Sequence, residues 1–273
     1  MDRTDYMDPI CPFDTSGFVK KSNISASVIN VKNVLSEADV LYSAKEYGKA
    51  QKMLEAYLQQ SLLLDDKAAE LGLLSELIGS YRKSGDEEKG IAAVNRAFEL
   101  IKILGLEGTA TAGTIWLNGA TTLREFRRFE EAIPFFVMAS RAYSNTISPD
   151  DYRFASLYNN MASCLEAVDR NEEAIKYYNM ALSIVKGNSF TPMEEAITYI
   201  NLAELYDKID PSNPIIEEYV NKCMAIFADE SIEHDEYYSY NAKSCAKGLN
   251  NIGYFRDAKE LVRRANDIDD EIS

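Results

Sequence analysis

The sequence predicts an all-α chain, a solenoid of about six antiparallel helix pairs, and three observations carry that prediction. Glycine and proline are sparse, 13 and 7 in 273 residues, and they fall mostly between segments of helical periodicity, which disfavours a turn-rich β fold. The apolar fraction of 46% supplies material for a long core. The chain also repeats itself. WLNGATTLREFRRFEEAIPFFVMA, Trp116 to Ala139, aligns without a gap on YNNMASCLEAVDRNEEAIKYYNMA, Tyr158 to Ala181, 42 residues later. A fixed period of this length marks stacked supersecondary units.

The pairs follow in order. EADVLYSAKEYGKAQKMLEAY sets Ala38 and Leu41 on a first helix and Ala50, Leu54 and Tyr57 on a second. LSELIGSYRKSGDEEKGIAAVNRA places Leu74, Ile78 and Tyr81, then Gly90, Val94 and Ala97, in the same slots. The third pair carries Trp116 and Ala120, then Ala132, Phe136 and Ala139; the fourth carries Tyr158 and Ala162, then Ala174, Tyr178 and Ala181. In the fifth, Tyr199, Ala203 and Tyr206 precede Ile216, Val220 and Cys223 after one extra loop residue. Ala242, Ala246 and Leu249 with Ala258, Val262 and Ala265 complete the sixth. The small second-helix position therefore recurs at 50, 90, 132, 174, 216 and 258. Small residues such as Ala162 and Ala174 let two backbones approach while Tyr158, Leu165 and Tyr178 fill the flanks, so the aromatic stripe is core.

These slots resemble the tetratricopeptide repeat, whose pattern runs aromatic, small, large apolar, Ala, aromatic, Ala. The resemblance implies a right-handed superhelix with a concave, peptide-binding groove. The usual repeat has 34 residues, and the 42-residue spacing is similar to that of kinesin light chains and bacterial peptide-sensing regulators. Sharing the additional residues between two helices predicts elements of roughly 18 residues and about 27 Å. SPDD from Ser148 and TPME from Thr191 each read as an N-cap followed by proline at the first helical position. KIDPSNP, Lys208 to Pro214, predicts a longer turn and a local change of pitch. Residues 1–25 match no repeat and are expected to form an irregular arm, ahead of a repeat domain at 26–273. The arm's Phe13 and Phe18 point to a segment that lies in the groove or caps the first pair. At the other end, Leu261 and Val262 are expected to be partly uncovered, which would allow a homo-oligomer through terminal repeats.

Composition narrows the function. A net charge of −15 is the wrong sign for nucleic acid or an anionic membrane surface. No stretch approaches the roughly 18 apolar residues of a membrane span, and the acidic start MDRTDYMDPICPF lacks the pattern of a secretory leader. Cys11, Cys164, Cys223 and Cys245 form no CxxC pair, so a reducing compartment, the cytoplasm, is expected. Catalysis would show as unusual polar residues that the repeat leaves unexplained. His234, the single histidine, has no second ligand at metal spacing. Glu172 and Glu173 sit where acids complement a helix dipole, and GLEG from Gly105 is a short connection. Neither a metal nor another cofactor is expected, and the chain reads as a non-enzyme.

One regularity exceeds what a core demands. Asn118, Asn160 and Asn201 share one slot of successive first helices, on a stripe that faces away from the core stripe. A carboxamide both donates and accepts, so a row of them can hold the main chain of an extended peptide. It can equally bond the adjacent repeat, and the sequence leaves both roles open. In tetratricopeptide proteins that this chain resembles, asparagines in this slot bind peptide backbone. Companions expected on the stripe are Thr114, Thr121 and Glu125, then Ser156, Ser163 and Ala167, then Ile197, Glu204 and Lys208. Arg82, Lys83, Arg124, Lys243 and Lys247 add positive charge nearby, suited to steering an acidic ligand. The expectation is thus a scaffold whose groove holds a protein or peptide segment. The alternative is a bacterial peptide-sensing regulator that controls an effector protein.

Overall fold

The structure, a computed structural model, describes residues 28–186 and 191–272. The expected arm at 1–25, with Phe13 and Phe18, lies outside the described residues. Two compact units divide the chain, with the boundary between Ser148 and Pro149. Each is built of three antiparallel helix pairs, and no strand occurs among the described residues.

The first unit holds α1 (Val31–Ser43) with α2 (Tyr47–Leu63), α3 (Lys67–Ser84) with α4 (Glu87–Ile103), and α5 (Ala110–Glu125) with α6 (Phe129–Ser144). The second holds α7 (Tyr152–Ala167) with α8 (Asn171–Val185), α9 (Pro192–Ile209) with α10 (Ile215–Phe227), and α11 (Glu236–Asn251) with α12 (Phe255–Ile272). Within a unit each first helix packs on the next first helix, α1 on α3 on α5 and α7 on α9 on α11. Second helices α2, α4 and α8 also pack on the first helix that follows them. The apolar face that one pair cannot bury alone is thereby covered by its neighbour.

The repeat slots are core. Ala50, Ala132, Ala174 and Ala258 are completely buried, as are Ala120, Ala162, Phe136 and Ala139. Gly90 takes the place of alanine in the second pair because a Cβ there would lie 2.7 Å from the Phe126 ring. Turns inside the pairs share one device, a single left-handed residue: Lys45, Gly85, Arg127, Asp169 and Gly253. The fifth pair departs from it. Its turn after α9 runs through an extended Asp210, and α10 starts after Pro214.

Several expectations need correction. The helices run from 13 to 18 residues, so much of the long period lies in the connections between pairs, such as 104–109, 145–151 and 228–235. Ser148 does not cap a helix. Asp151 does, accepting from the Arg153 amide at 3.0 Å, because its carboxylate outcompetes a hydroxyl set three residues too early. Thr191 is at the N-cap of α9 with Pro192 behind it, but its hydroxyl turns to the Val185 carbonyl at 3.5 Å instead of the helix amides. Leu261 is fully buried, since α12 turns it onto α11; only Val262 of that pair is exposed.

Candidate functional site

Asparagines at the shared slot meet different surroundings. In the first unit Asn118 is 6% exposed, and its Oδ1 is buried without a hydrogen-bond partner. Its carbonyl accepts from Arg82 Nη1 at 3.3 Å, and the same guanidinium donates to Thr122 Oγ1 at 2.8 Å, stitching α3 to α5. Thr121 is 1% exposed. Arg124 pairs with its neighbour Glu125 and keeps its Nε buried without a partner. These residues lie within the helix packing of the first unit.

In the second unit Asn160 is likewise buried, at 8% exposure, while Ser156 and Ser163 are half-buried. Its neighbour Asn159 links α7 to α9 by donating to Thr198 Oγ1 at 2.9 Å. Asn201 is different. It is half-buried, its side chain has no hydrogen-bond partner among the described residues, and it lines a cleft of about 220 Å³ between α9 and α11. Ile197, Ile200 and Glu204 join it on the α9 wall. The α11 wall is formed by Ser244, Cys245, Lys247, Gly248 and Asn251.

Each wall has a physical reason. A Cβ on Gly248 would stand 2.3 Å from Ile200 Cγ2 and 2.9 Å from Glu204 Oε2, so the missing side chain is what lets α11 approach α9 at the cleft floor. Glu204 Oε1 accepts from Asn251 Nδ2 at 2.7 Å, which fixes the carboxylate across the cleft. Ser244 and Lys247 are exposed and make no hydrogen bond or ion pair among the described residues. Lys243, one turn earlier, is engaged: it pairs with Asp269, holding that carboxyl below its ordinary range. Cys245 is inert as a nucleophile, because its hydrogen bond with Cys223 and its burial both push the thiol well up.

Three residues expected on the stripe, Ile197, Asn201 and Glu204, are therefore brought together with Lys247, one of the cations expected nearby. Ser244, Gly248 and Asn251 were not singled out by the sequence pattern. The register could have found the first: Ser244 stands 14 residues before Ala258, just as Asn160 stands 14 before Ala174. The cleft offers an amide, a hydroxyl, a cation and a carboxylate over an apolar floor, a set suited to holding a polar chain.

Farther along the same interface, Glu194 accepts from the Tyr237 hydroxyl at 2.7 Å while its Oε2 is shut off from solvent without a partner. Burial pushes this carboxyl above its ordinary value. Glu166 is raised too, first by burial and further by the charge of Glu204, against a hydrogen bond from Tyr178. His234 is exposed, its ring 4.5 Å from that of Tyr238. Among the described residues no group of three or more His, Cys, Asp or Glu is placed to hold a metal, and no helix is long and apolar enough to cross a membrane.

Comparison with known proteins bears on the fold. A tetratricopeptide repeat family model matches residues 111–187. No curated protein matches the chain. The structure is similar to that of BtubC (BKLC) from P. vanneervenii, with 17% identity and a TM-score of 0.56 over 89% of this chain and 92% of that one. A putative kinesin light chain of nearly identical TPR-like repeats from Podosopora anserina is similar at 15% identity and a TM-score of 0.53, over 73% of this chain and 95% of the other. A Rap protein complexed with competence and sporulation factor shares 14% identity and a TM-score of 0.59, over 98% of this chain and 83% of that one. At such identities the likeness is one of fold, a solenoid of helical repeats.

Proposed function

We propose that this chain, whose residues 111–187 match a tetratricopeptide repeat family model, is a non-enzymatic scaffold that holds an extended peptide or protein segment on its first-helix faces. The observation that carries the reading is the α9–α11 cleft, where Asn201, Ser244 and Lys247 lack hydrogen-bond and ion-pair partners among the described residues. Asn201, half-buried and unpaired, lacks a hydrogen bond that a ligand can restore, and the exposed Ser244 and Lys247 stand beside it. Asn201 can donate to a peptide carbonyl and accept from a peptide N–H at once, and Ser244 repeats that capacity one helix on. Lys247 supplies a free cation for an acidic side chain of the segment, while Glu204, tied to Asn251, is placed to take a donor. In the first unit, Asn118 and Thr121 serve the packing between repeats, so the second unit is the place of capture. Cys164, Cys223 and Cys245 are buried and not joined in disulfides, which supports a reducing compartment such as the cytoplasm. The Rap likeness supports a second reading, a peptide-sensing regulator, because that protein was solved with a competence and sporulation factor bound.

The test is selection of binders to the unaltered chain from a displayed random-peptide library, followed by titration of the best peptide. Asn201→Ala and Lys247→Ala each weaken that peptide about tenfold, the worth of one restored hydrogen bond or charge pair, with far-UV ellipticity unchanged. Equal affinity in both variants would reject the cleft as the site.

A further inference from the structure

We infer that the segment held by the α9–α11 cleft carries a basic and an acidic side chain at adjacent positions, the base turned to Glu204 on α9 and the acid to Lys247 on α11. This rests on the function proposed for the cleft and adds what the bound segment must contain. Residues 43 apart in the chain face each other across this interface, as the bond from the Tyr237 hydroxyl to Glu194 spans that separation. The same step sets Asn201 opposite Ser244 and, three residues on, Glu204 opposite Lys247. Three residues of helix rise about 4.5 Å. The cleft thus presents an uncharged polar level and then a level with opposite charges on its two walls.

Those charges do not neutralise each other. Glu204 and Lys247 line one cleft, yet no ion pair joins them among the described residues. Glu204 Oε1 is taken by the neutral amide of Asn251, while Oε2 stands 2.9 Å from where a Cβ on Gly248 would be and accepts no hydrogen bond among the described residues. Glu166, held above its ordinary value chiefly by burial, is raised further by the charge of Glu204, so negative potential gathers on this wall. Lys208 and Lys243 are engaged elsewhere, with Asp169 and Asp269. A purely acidic segment would satisfy Lys247 and be repelled at Glu204, and a purely basic one would do the reverse. A segment of both signs satisfies both walls. Its spacing follows from strand geometry: successive side chains of an extended chain point to opposite sides, so the base and the acid are sequence neighbours. A residue inserted between them would turn both to one wall.

The probe is the best binder selected from the displayed random-peptide library, with three altered forms: its base changed to glutamine, its acid changed to glutamine, and a glycine inserted between the two. Each is titrated against the unaltered chain, Glu204→Gln and Lys247→Met, with far-UV ellipticity verifying the fold. Every altered peptide is expected to bind the unaltered chain about tenfold more weakly, the effect of losing one charge pair. Loss of the base makes no difference to Glu204→Gln, and loss of the acid makes none to Lys247→Met, because the partner charge is already gone. Selected peptides that lack an adjacent base and acid, a glycine insertion without effect, or penalties that persist in those two variants overturn the inference. The cleft itself still stands as the peptide site in each of these cases if Asn201→Ala weakens binding. Affinity that neither Asn201→Ala nor Lys247→Ala changes, or a library without binders, rejects both.

Discussion

Glu194 shows how one side chain can set a pH dependence. Its carboxyl is pushed above the ordinary value of 4.5, with burial as the main cause and the Tyr237 hydroxyl opposing it. The folded chain therefore binds this proton more tightly than the unfolded chain. Stability from this group is greatest below the ordinary value and declines as pH rises through the raised one, because folding must then bury a charge. Glu194→Gln removes that decline. Urea unfolding at pH 5 and pH 8 should show the variant gaining on the unaltered chain at the higher pH; a difference independent of pH would mean that Glu194 is not perturbed. Comparing two pH values cancels the altered hydrogen bond with Tyr237. At the same scale Asn118 and Asn201 demonstrate that one slot does not mean one role. Arg82 folds over the carbonyl of the first, while the side chain of the second has no hydrogen-bond partner among the described residues.

Helices of the two kinds are secured differently. Five of the six first helices have a side-chain cap: Asn30, Asp66, Thr109, Asp151 and Asp235 each accept from an amide of the first turn. Among second helices from α2 to α10 only α4 has such a cap, Asp86, and most carry acids in the first turn, such as Glu130 and Glu131 in α6 and Glu172 and Glu173 in α8, which favour the positive end of the dipole. Arg128 and Arg170 bracket those acids with two-point bonds to Glu131 and Glu173. Glycine inside a helix separates packing from propensity. Gly248→Ala forces a Cβ against the stiff Ile200 and should cost about 1–2 kcal/mol net, after about 1 kcal/mol gained in helix propensity. Gly79→Ala meets only the far end of Arg82 at 3.8 Å and should gain up to about 1 kcal/mol. Urea midpoints from far-UV circular dichroism check the pair, and equal shifts would remove close approach as the reason for glycine at 248. The repeat slots that form the core, from Ala50 to Ala258, were legible because small residues recur wherever backbones must approach. The cap at Asp151 was less legible, since two acids and a serine compete within four residues and only the local fold chooses among them.

Taken whole, the chain carries 44 acidic and 29 basic side chains, and the surplus of 15 negative charges acts against compaction. Most ion pairs among the described residues are exposed contacts three or four residues apart, worth about 0.3–0.5 kcal/mol each. Screening should therefore weaken repulsion more than it weakens the pairs. The thermal midpoint is expected to rise between 10 and about 150 mM sodium chloride, over which the Debye length falls from about 30 to about 8 Å. A midpoint that falls would assign the balance to the pairs. The bound peptide of the proposed function adds to this stability by mass action, so the midpoint also serves as a binding readout.

The sequence by itself determined the all-α class, the six pairs, and the small, aromatic and aliphatic residues at their contacts. Each of these follows from local periodicity and from the volume allowed where two helices cross. It also assigned Asn118, Asn160 and Asn201 to one slot. Tertiary packing alone decided that two of them are buried and that Asn201 opens onto a cleft with Ser244 and Lys247. Exposure depends on what the neighbouring helix brings to the interface: Arg82 beside Asn118, Gly248 near Asn201. Arg82 lies 36 residues from Asn118 in the chain, and Gly248 is similarly remote from Asn201, beyond the reach of any local pattern.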